Sequence, residues 1–444
     1  MAINRRESSA LMNSLSAGVV PRIGLRHIAV GREKEVSSFL NDLQTVEEGG
    51  AAFRFISGVY GSGKTFLLQL IRNNALDRGF VVMDADLSPE RRLTGTHQQG
   101  LGTYRELMQN LSIRSKPDGG GLESVIQKWI SAVQMQTAAE QNLSPTDPKL
   151  VDAVTLRIHE DLRALSEMAY GYSFSIVLEA YYKGMKNGDD DLKQKALRWL
   201  RGEYANKTQA KKALPVDRII EDANWYDFMK LFAMFSRMAG YQGLILFIDE
   251  SVNLYKITNR VSRVNNYEKI LTMFNDTRQG KASGIGIFMG GTPQFITDEE
   301  RGLYSYEALK SRLLENRFIA QGYEDYTGPV LNISRLSNEE LYLLLERLCE
   351  LHGSFYKYDC KLTPEQLSAF LKQVTSRVGA EQQLTPREVT RDFLGLLNIL
   401  HQNPEATFED LLSKQTFSFE EPAAPAAKSE VDPYAEDLFA SFEL

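Results

Sequence analysis

The octapeptide Gly58-Val59-Tyr60-Gly61-Ser62-Gly63-Lys64-Thr65 has the residue types and spacing that hold a polyphosphate. Its glycines keep Cβ atoms out of the way, so that backbone N–H groups can face phosphate oxygens. Lys64 can then reach the β and γ phosphates, and the Thr65 hydroxyl can ligate Mg²⁺. The nucleotide-contacting set runs from Gly58 through Phe66. A metal held there needs a carboxylate partner. The apolar run Leu244-Ile-Leu-Phe-Ile ends in Asp249-Glu250 and supplies one. Asp249 would hold Mg²⁺ directly or through water, and Glu250 would orient and deprotonate an attacking water. A third segment, Phe288-Met-Gly-Gly-Thr292-Pro-Gln294, places Thr292 at the end of another apolar run. Thr292 would sense the γ phosphate from a position between that phosphate and the two carboxylates; alternatively its hydroxyl only caps a Gly-Thr-Pro turn. The expected cofactors are ATP and Mg²⁺, and the expected reaction is hydrolysis to ADP and phosphate.

These groups work only if folded elements position them. A phosphate loop needs a buried strand before it and a helix after it, and residues 52–57 and 65–71 read as such. Further strands are expected at 79–86, 243–250 and 284–292. Residues 36–49 carry helical spacing, residues 100–235 are helical in pattern, and from 337 onward the chain again reads as helical. Strands alternating with helices imply a parallel α/β sheet. The expected fold class is therefore α/β, a parallel-sheet P-loop NTPase core with a large helical insertion and a helical C-terminal lid. The expected division is a mobile N-terminus over 1–20, an ATPase domain over 21–335 with its insertion at about 100–235, a lid over 336–418 and an acidic disordered tail over 419–444.

Composition bounds the remaining possibilities. The chain has 444 residues, 43% hydrophobic and 25% charged, enough for more than one folded unit. No apolar run approaches the roughly 18 residues of a membrane span, and the N-terminus lacks a secretory signal core. Two cysteines, Cys349 and Cys360, fit a reducing compartment and neither a disulfide framework nor a zinc site, so a cytoplasmic location is expected. Of the net charge of -7, residues 420–444 hold -6, leaving the body close to neutral and removing any bulk-charge argument for nucleic-acid binding. The five histidines have no metal-ligand spacing, and no nucleophile elbow, zinc-protease helix or kinase catalytic loop is present.

The Asp249-Glu250 pair, Thr292 and the segment Leu384-Thr-Pro-Arg387-Glu-Val-Thr-Arg391-Asp-Phe393 together resemble an AAA+ ATPase of the origin-recognition and STAND-like branch. Val30-Gly31-Arg32-Glu33 is similar to the opening motif of that branch. More narrowly, Asn266-Tyr-Glu-Lys-Ile-Leu, Gly290-Gly-Thr-Pro-Gln-Phe295, residues 298–309 and Arg312-Leu resemble the BrxC/BrxD-type ATPases of bacterial BREX anti-phage systems, in the smaller BrxD form. The resemblance implies that Arg32 contacts the adenine and that Arg387 is a lid sensor reaching the γ phosphate, with Arg391 on the same helix face. It also implies an arginine finger given to a neighbouring subunit by Arg301, Arg312 or Arg317, of which Arg312 is preferred. Arg317 suits a surface ion pair better.

The resemblance implies an ATPase in a multiprotein anti-phage complex that is a homo-oligomer, acts on DNA or a DNA-bound partner, and works beside other defence proteins such as a helicase. The alternative is a nucleotide-controlled switch that binds ATP and recruits an effector with little turnover. Two segments bear on partners. Lys193, Lys195, Arg198, Arg201, Lys207, Lys211 and Lys212 with Trp199 form a basic stretch that can track a phosphate backbone while Trp199 stacks on a base; preceded by three aspartates, it can equally be self-neutralised. In the tail, Tyr434, Leu438, Phe439 and Phe442 would line one face of a short helix suited to a basic, apolar groove, or the tail only aids solubility.

Overall fold

The computed structural model describes residues 3–144, 146–314, 316, 325–376 and 385–414. Residues Met1–Gly395 form one compact unit and Leu396–Leu444 a second. The chain opens with α1 (Arg5–Ser16) and α2 (Glu33–Glu47), then enters β1 (Ala51–Ser57), α3 (Lys64–Asp77) and β2 (Val81–Asp86). Seven helices follow before the next strand: α4 (Gln99–Gln109), α5 (Leu122–Glu140), α6 (Pro148–Ser166), α7 (Gly171–Asn187), α8 (Asp190–Leu200), α9 (Lys207–Ala213) and α10 (Trp225–Met238). β3 (Leu244–Asp249), α11 (Val252–Tyr255), α12 (Arg260–Arg278) and β4 (Ile285–Gly291) come next. They lead through α13 (Pro293–Thr297) and α14 (Glu307–Leu313) to β5 (Val330–Asn332). α15 (Asn338–Tyr356), α16 (Pro364–Thr375), α17 (Pro386–Gln402) and α18 (Phe408–Lys414) complete the described chain.

The five strands form one parallel sheet in the order β2-β3-β4-β1-β5. Their apolar runs are continuous because both faces are covered. Alternate residues part company: Phe53, Phe55, Leu246, Ile248 and Ile287 join one core with the insertion helices and α12, while Ala52, Ile56, Ile245, Phe247 and Phe288 join another with α2 and α3. On the second face the strand residue Arg54 is 6% exposed and is satisfied by Asp42 of α2 and by the carbonyls of Tyr326 and Gly328.

Two sequence expectations need correction here. Residues 5–16 are a packed helix and not a mobile leader: Asn4 caps α1 by accepting from the Glu7 N–H at 2.8 Å, and Leu11 and Met12 are buried where α1 packs on α15. The three-residue β5 was not foreseen, because so short an edge strand carries no periodicity. The tail from 420, with its aromatic residues, lies outside the described residues.

Candidate nucleotide site

The site lies at the C-terminal ends of the strands, where open parallel sheets bind ligands. β1 delivers the loop 58–63, and α3 begins at Lys64 with its first N–H groups facing the loop. Gly61 and Gly63 have φ of +77° and +92°, a backbone conformation that costs other residues about 1–2 kcal/mol. Gly61 is fixed for a second reason as well. A Cβ there would fall 2.4 Å from the Thr385 Cγ2, so Thr385 can rest on the loop only if this side chain is absent.

Lys64 Nζ donates to the carbonyls of Gly58 at 2.8 Å and Val59 at 3.1 Å, which holds the ammonium across the loop mouth. Burial lowers its pKa, opposed by the charges of Asp249 and Glu250. The Thr65 hydroxyl donates to Asp249 Oδ2 at 3.0 Å, and the Glu250 N–H donates to Asp249 Oδ1 at 2.8 Å. A hydroxyl and a carboxylate in contact are hard oxygen donors of the kind Mg²⁺ prefers, so the residues fit that ion. Glu250 itself has φ of +56°, rare for a residue with a side chain, and it faces the cleft.

A cleft of about 220 Å³ runs from this loop to the start of α17. Tyr60, Lys64, Thr65, Phe66 and Glu250 line the end at the 58–63 loop. Val19, Val20, Pro21, Ile28 and Val30 from the N-terminal segment, with Leu336 and Leu344, form an apolar wall. Thr385 and Arg387 close it. Thr385 caps α17 reciprocally with Glu388, which fixes where Arg387 enters: Thr385 Oγ1 accepts from the Glu388 N–H at 3.3 Å, and Glu388 accepts from the Thr385 N–H at 3.1 Å.

Arg32 is 6% exposed and lines the cleft, but its guanidinium is engaged by Glu35 at 3.0 Å and by the carbonyls of Ser62 at 3.0 Å and Ser334 at 2.5 Å. It therefore braces the loop. Thr292 sits at the end of β4, between β1 and β3, and its hydroxyl accepts from the Phe295 N–H at 3.3 Å, so the capping role is the one seen. Arg391 is exposed and lies 3.6 Å from Asp392, outside the cleft lining. Arg301 donates to the carbonyls of Tyr255 and Ile257, each at 3.4 Å. Arg312 is on the surface, bonded to Asn275 at 3.0 Å and to the Ala308 carbonyl. Arg317 is outside the described residues.

One acidic group escaped the sequence reading. Asp86 ends β2 in register with Asp249, and burial, followed by repulsion from Asp249, Glu106, Glu250 and Asp84, pushes its pKa up to about 6. The signal was present, since residues 79–86 end in an acid as 244–249 do, but only the parallel register makes them neighbours. The loop after Asp86 is anchored by the fully buried Asn266. Its carbonyl oxygen accepts from the N–H groups of Leu93 and Thr94 at 2.9 and 3.1 Å, and its amide donates to the carbonyls of Thr94 and Ser262.

The basic stretch does not offer Trp199 to a base. The indole is 1% exposed and donates to the Arg218 carbonyl at 3.0 Å. Lys193 pairs with Asp190, Lys195 with Asp191, Arg198 and Arg201 with Glu203, and Lys207 with Glu221, so these five follow the self-neutralised alternative. No helix among the described residues is long and apolar enough to cross a membrane.

The profile of the family described as BREX system ATP-binding protein BrxC/D matches residues 3–416. Comparison with curated proteins returns no match.

Proposed function

Since the chain belongs to the BREX system ATP-binding protein BrxC/D family, we propose that the cleft binds Mg²⁺·ATP and hydrolyses it to ADP and phosphate, in the manner of an AAA+ ATPase. The observation that carries this reading is the Thr65–Asp249 contact beside Lys64 and Glu250 in one cleft. The loop N–H groups and the α3 N-terminus hold the triphosphate, and Lys64 exchanges its two carbonyl partners for β and γ oxygens. Thr65 and Asp249 would hold Mg²⁺, which would supply charge neutralisation for the leaving phosphates. Glu250 accepts the proton of the attacking water, its carboxylate held at the cleft by the left-handed turn after Asp249. Arg387 reaches the γ phosphate from the lid, and the free proton of Thr292 can report on that phosphate from the strand between the two. The exposed position of Arg312 suits donation to a neighbouring subunit better than the internally bonded Arg301.

Within the defence system the protein is expected to work as an oligomer, changing shape or assembly with its nucleotide state and acting on DNA or a DNA-bound partner. Steady-state turnover of wild type and Glu250→Gln, with and without single- and double-stranded DNA, tests this. The expected result is turnover in wild type, stimulated by one DNA form and stalled by Glu250→Gln with ATP binding retained. Tight binding without turnover in wild type would make the protein a nucleotide-held scaffold instead.

A further inference from the structure

Cys349 lies on α15, and Cys360 lies in the segment that turns back after that helix ends. The reversal is built from backbone. Lys357 takes a left-handed conformation with φ of +59°, and the Tyr358 N–H returns to the Gly353 carbonyl at 3.0 Å. A Cβ on Gly353 would lie 2.7 Å from the Tyr358 carbonyl, so a side chain there would push the segment off the helix. Gly353 is one turn past Cys349 and on the same helix face, and a Cβ there would also lie 3.8 Å from the Cys360 Cβ, so the returning segment sets the two cysteines side by side.

The groups beside the Cys360 sulfur that can donate to it are the Cys349 thiol, the Leu362 N–H and the Tyr358 hydroxyl. The Tyr358 oxygen is 2.8 Å from Nδ1 of the fully buried His352. When the Tyr358 hydroxyl donates to the sulfur, it accepts from His352, whose Nδ1 then carries the proton. The Cys349 thiol and the other two donors hold Cys360 below the usual thiol range, while that same hydrogen bond and burial push Cys349 up. The pair thus combines a nucleophilic sulfur and a protonated partner already in contact, both partly exposed.

We propose that Cys349 and Cys360 form a peroxide-reactive modification site that closes to an internal disulfide. The Cys360 sulfur attacks one oxygen of hydrogen peroxide, the O–O bond breaks, and the products are a sulfenic acid and hydroxide, which takes up a proton to become water. The Cys349 sulfur then loses its proton, attacks the sulfenic sulfur and displaces the second oxygen as water, forming the S–S bond. Two thiols are oxidised and one peroxide is reduced to two waters. The bond would tie the segment leading into α16 to α15, the helix that supplies Leu344 to the cleft wall.

The test uses the full chain treated with hydrogen peroxide, then alkylated with N-ethylmaleimide and mapped by mass spectrometry without reduction. Expected are loss of both alkylation sites together and a single internal Cys349–Cys360 linked peptide. Cys349→Ser should stop at a dimedone-reactive sulfenic acid on Cys360, and Cys360→Ser should react with peroxide several-fold more slowly than Cys349→Ser. Thiols that stay alkylatable, a link only between chains, or equal rates for the two single variants would overturn the proposal.

Discussion

Gly290 stands on β4 beside Asp249, and an added Cβ would fall 2.2 Å from Asp249 Oδ1 and 3.1 Å from its Cγ. Carbon and carboxylate oxygen need about 3.2–3.4 Å, so Gly290→Ala should drive the carboxylate back by about 1 Å. The same carboxylate is held by Thr65 at 3.0 Å and by the Glu250 N–H at 2.8 Å. A shift of that size takes both contacts past about 3.5 Å, where they cease to be hydrogen bonds. Misplacement by about 1 Å at a reacting centre can cost on the order of 10²-fold in rate, whereas overpacking a strand costs about 1–3 kcal/mol of stability. Gly290→Ala should therefore remain folded, bind ATP with little benefit from Mg²⁺, and turn over about 10²-fold more slowly. Gly286→Ala is the control: it lies on the same strand, where its Cβ would meet apolar side chains, nearest the tip of Ile245 at 2.8 Å, and it should lose comparable stability with turnover kept. The assays are thermal unfolding, and ATP binding and phosphate release with and without Mg²⁺. A folded Gly290→Ala with wild-type Mg²⁺-dependent turnover would remove Asp249 from the metal site.

Trp199→Ala should destabilise the protein by about 3–5 kcal/mol in denaturant titrations; wild-type stability combined with lost single-strand DNA binding would restore the stacking role. Asp86, with its pKa raised to about 6, binds a proton in the folded state that the unfolded state releases near pH 4. The metal-free protein should accordingly lose stability as pH rises from about 4 to about 6. Asp86→Asn should melt higher than wild type at neutral pH in a chelator, with the advantage gone at about pH 4; an advantage independent of pH would contradict the shift. Arg312→Ala should leave the melting temperature unchanged and reduce turnover by about 10³-fold with ATP binding kept, whereas Arg301→Ala should lower stability by about 1 kcal/mol. The reverse pattern would exchange their roles.

The β1–loop–α3 geometry around Gly58–Thr65 and the strand ending at Asp249 were legible because glycines before Lys64 and an unbroken apolar run impose local signatures. α1 was missed because its polar, serine-rich sequence hides a narrow stripe, Leu11 and Met12, that acquires meaning only against α15. Trp199 misled for the opposite reason. Basic neighbours suggested an exposed ring, while the fold buries the indole and neutralises those neighbours with acids from its own helix and the following turn. Asp86, and the bracing role of Arg32, depend on strand register and on carbonyls distant in the chain, which no spacing along the sequence encodes.

The central claim is that ATP sits on the Gly58–Thr65 loop with Lys64 as its phosphate cation. Equilibrium titration of Mg²⁺·ATP into wild type and Lys64→Ala, each checked for an unchanged melting temperature without ligand, addresses it directly. The account predicts saturable binding by wild type and loss of most of that affinity in Lys64→Ala. Equal affinity in the two proteins would place the nucleotide elsewhere and contradict it.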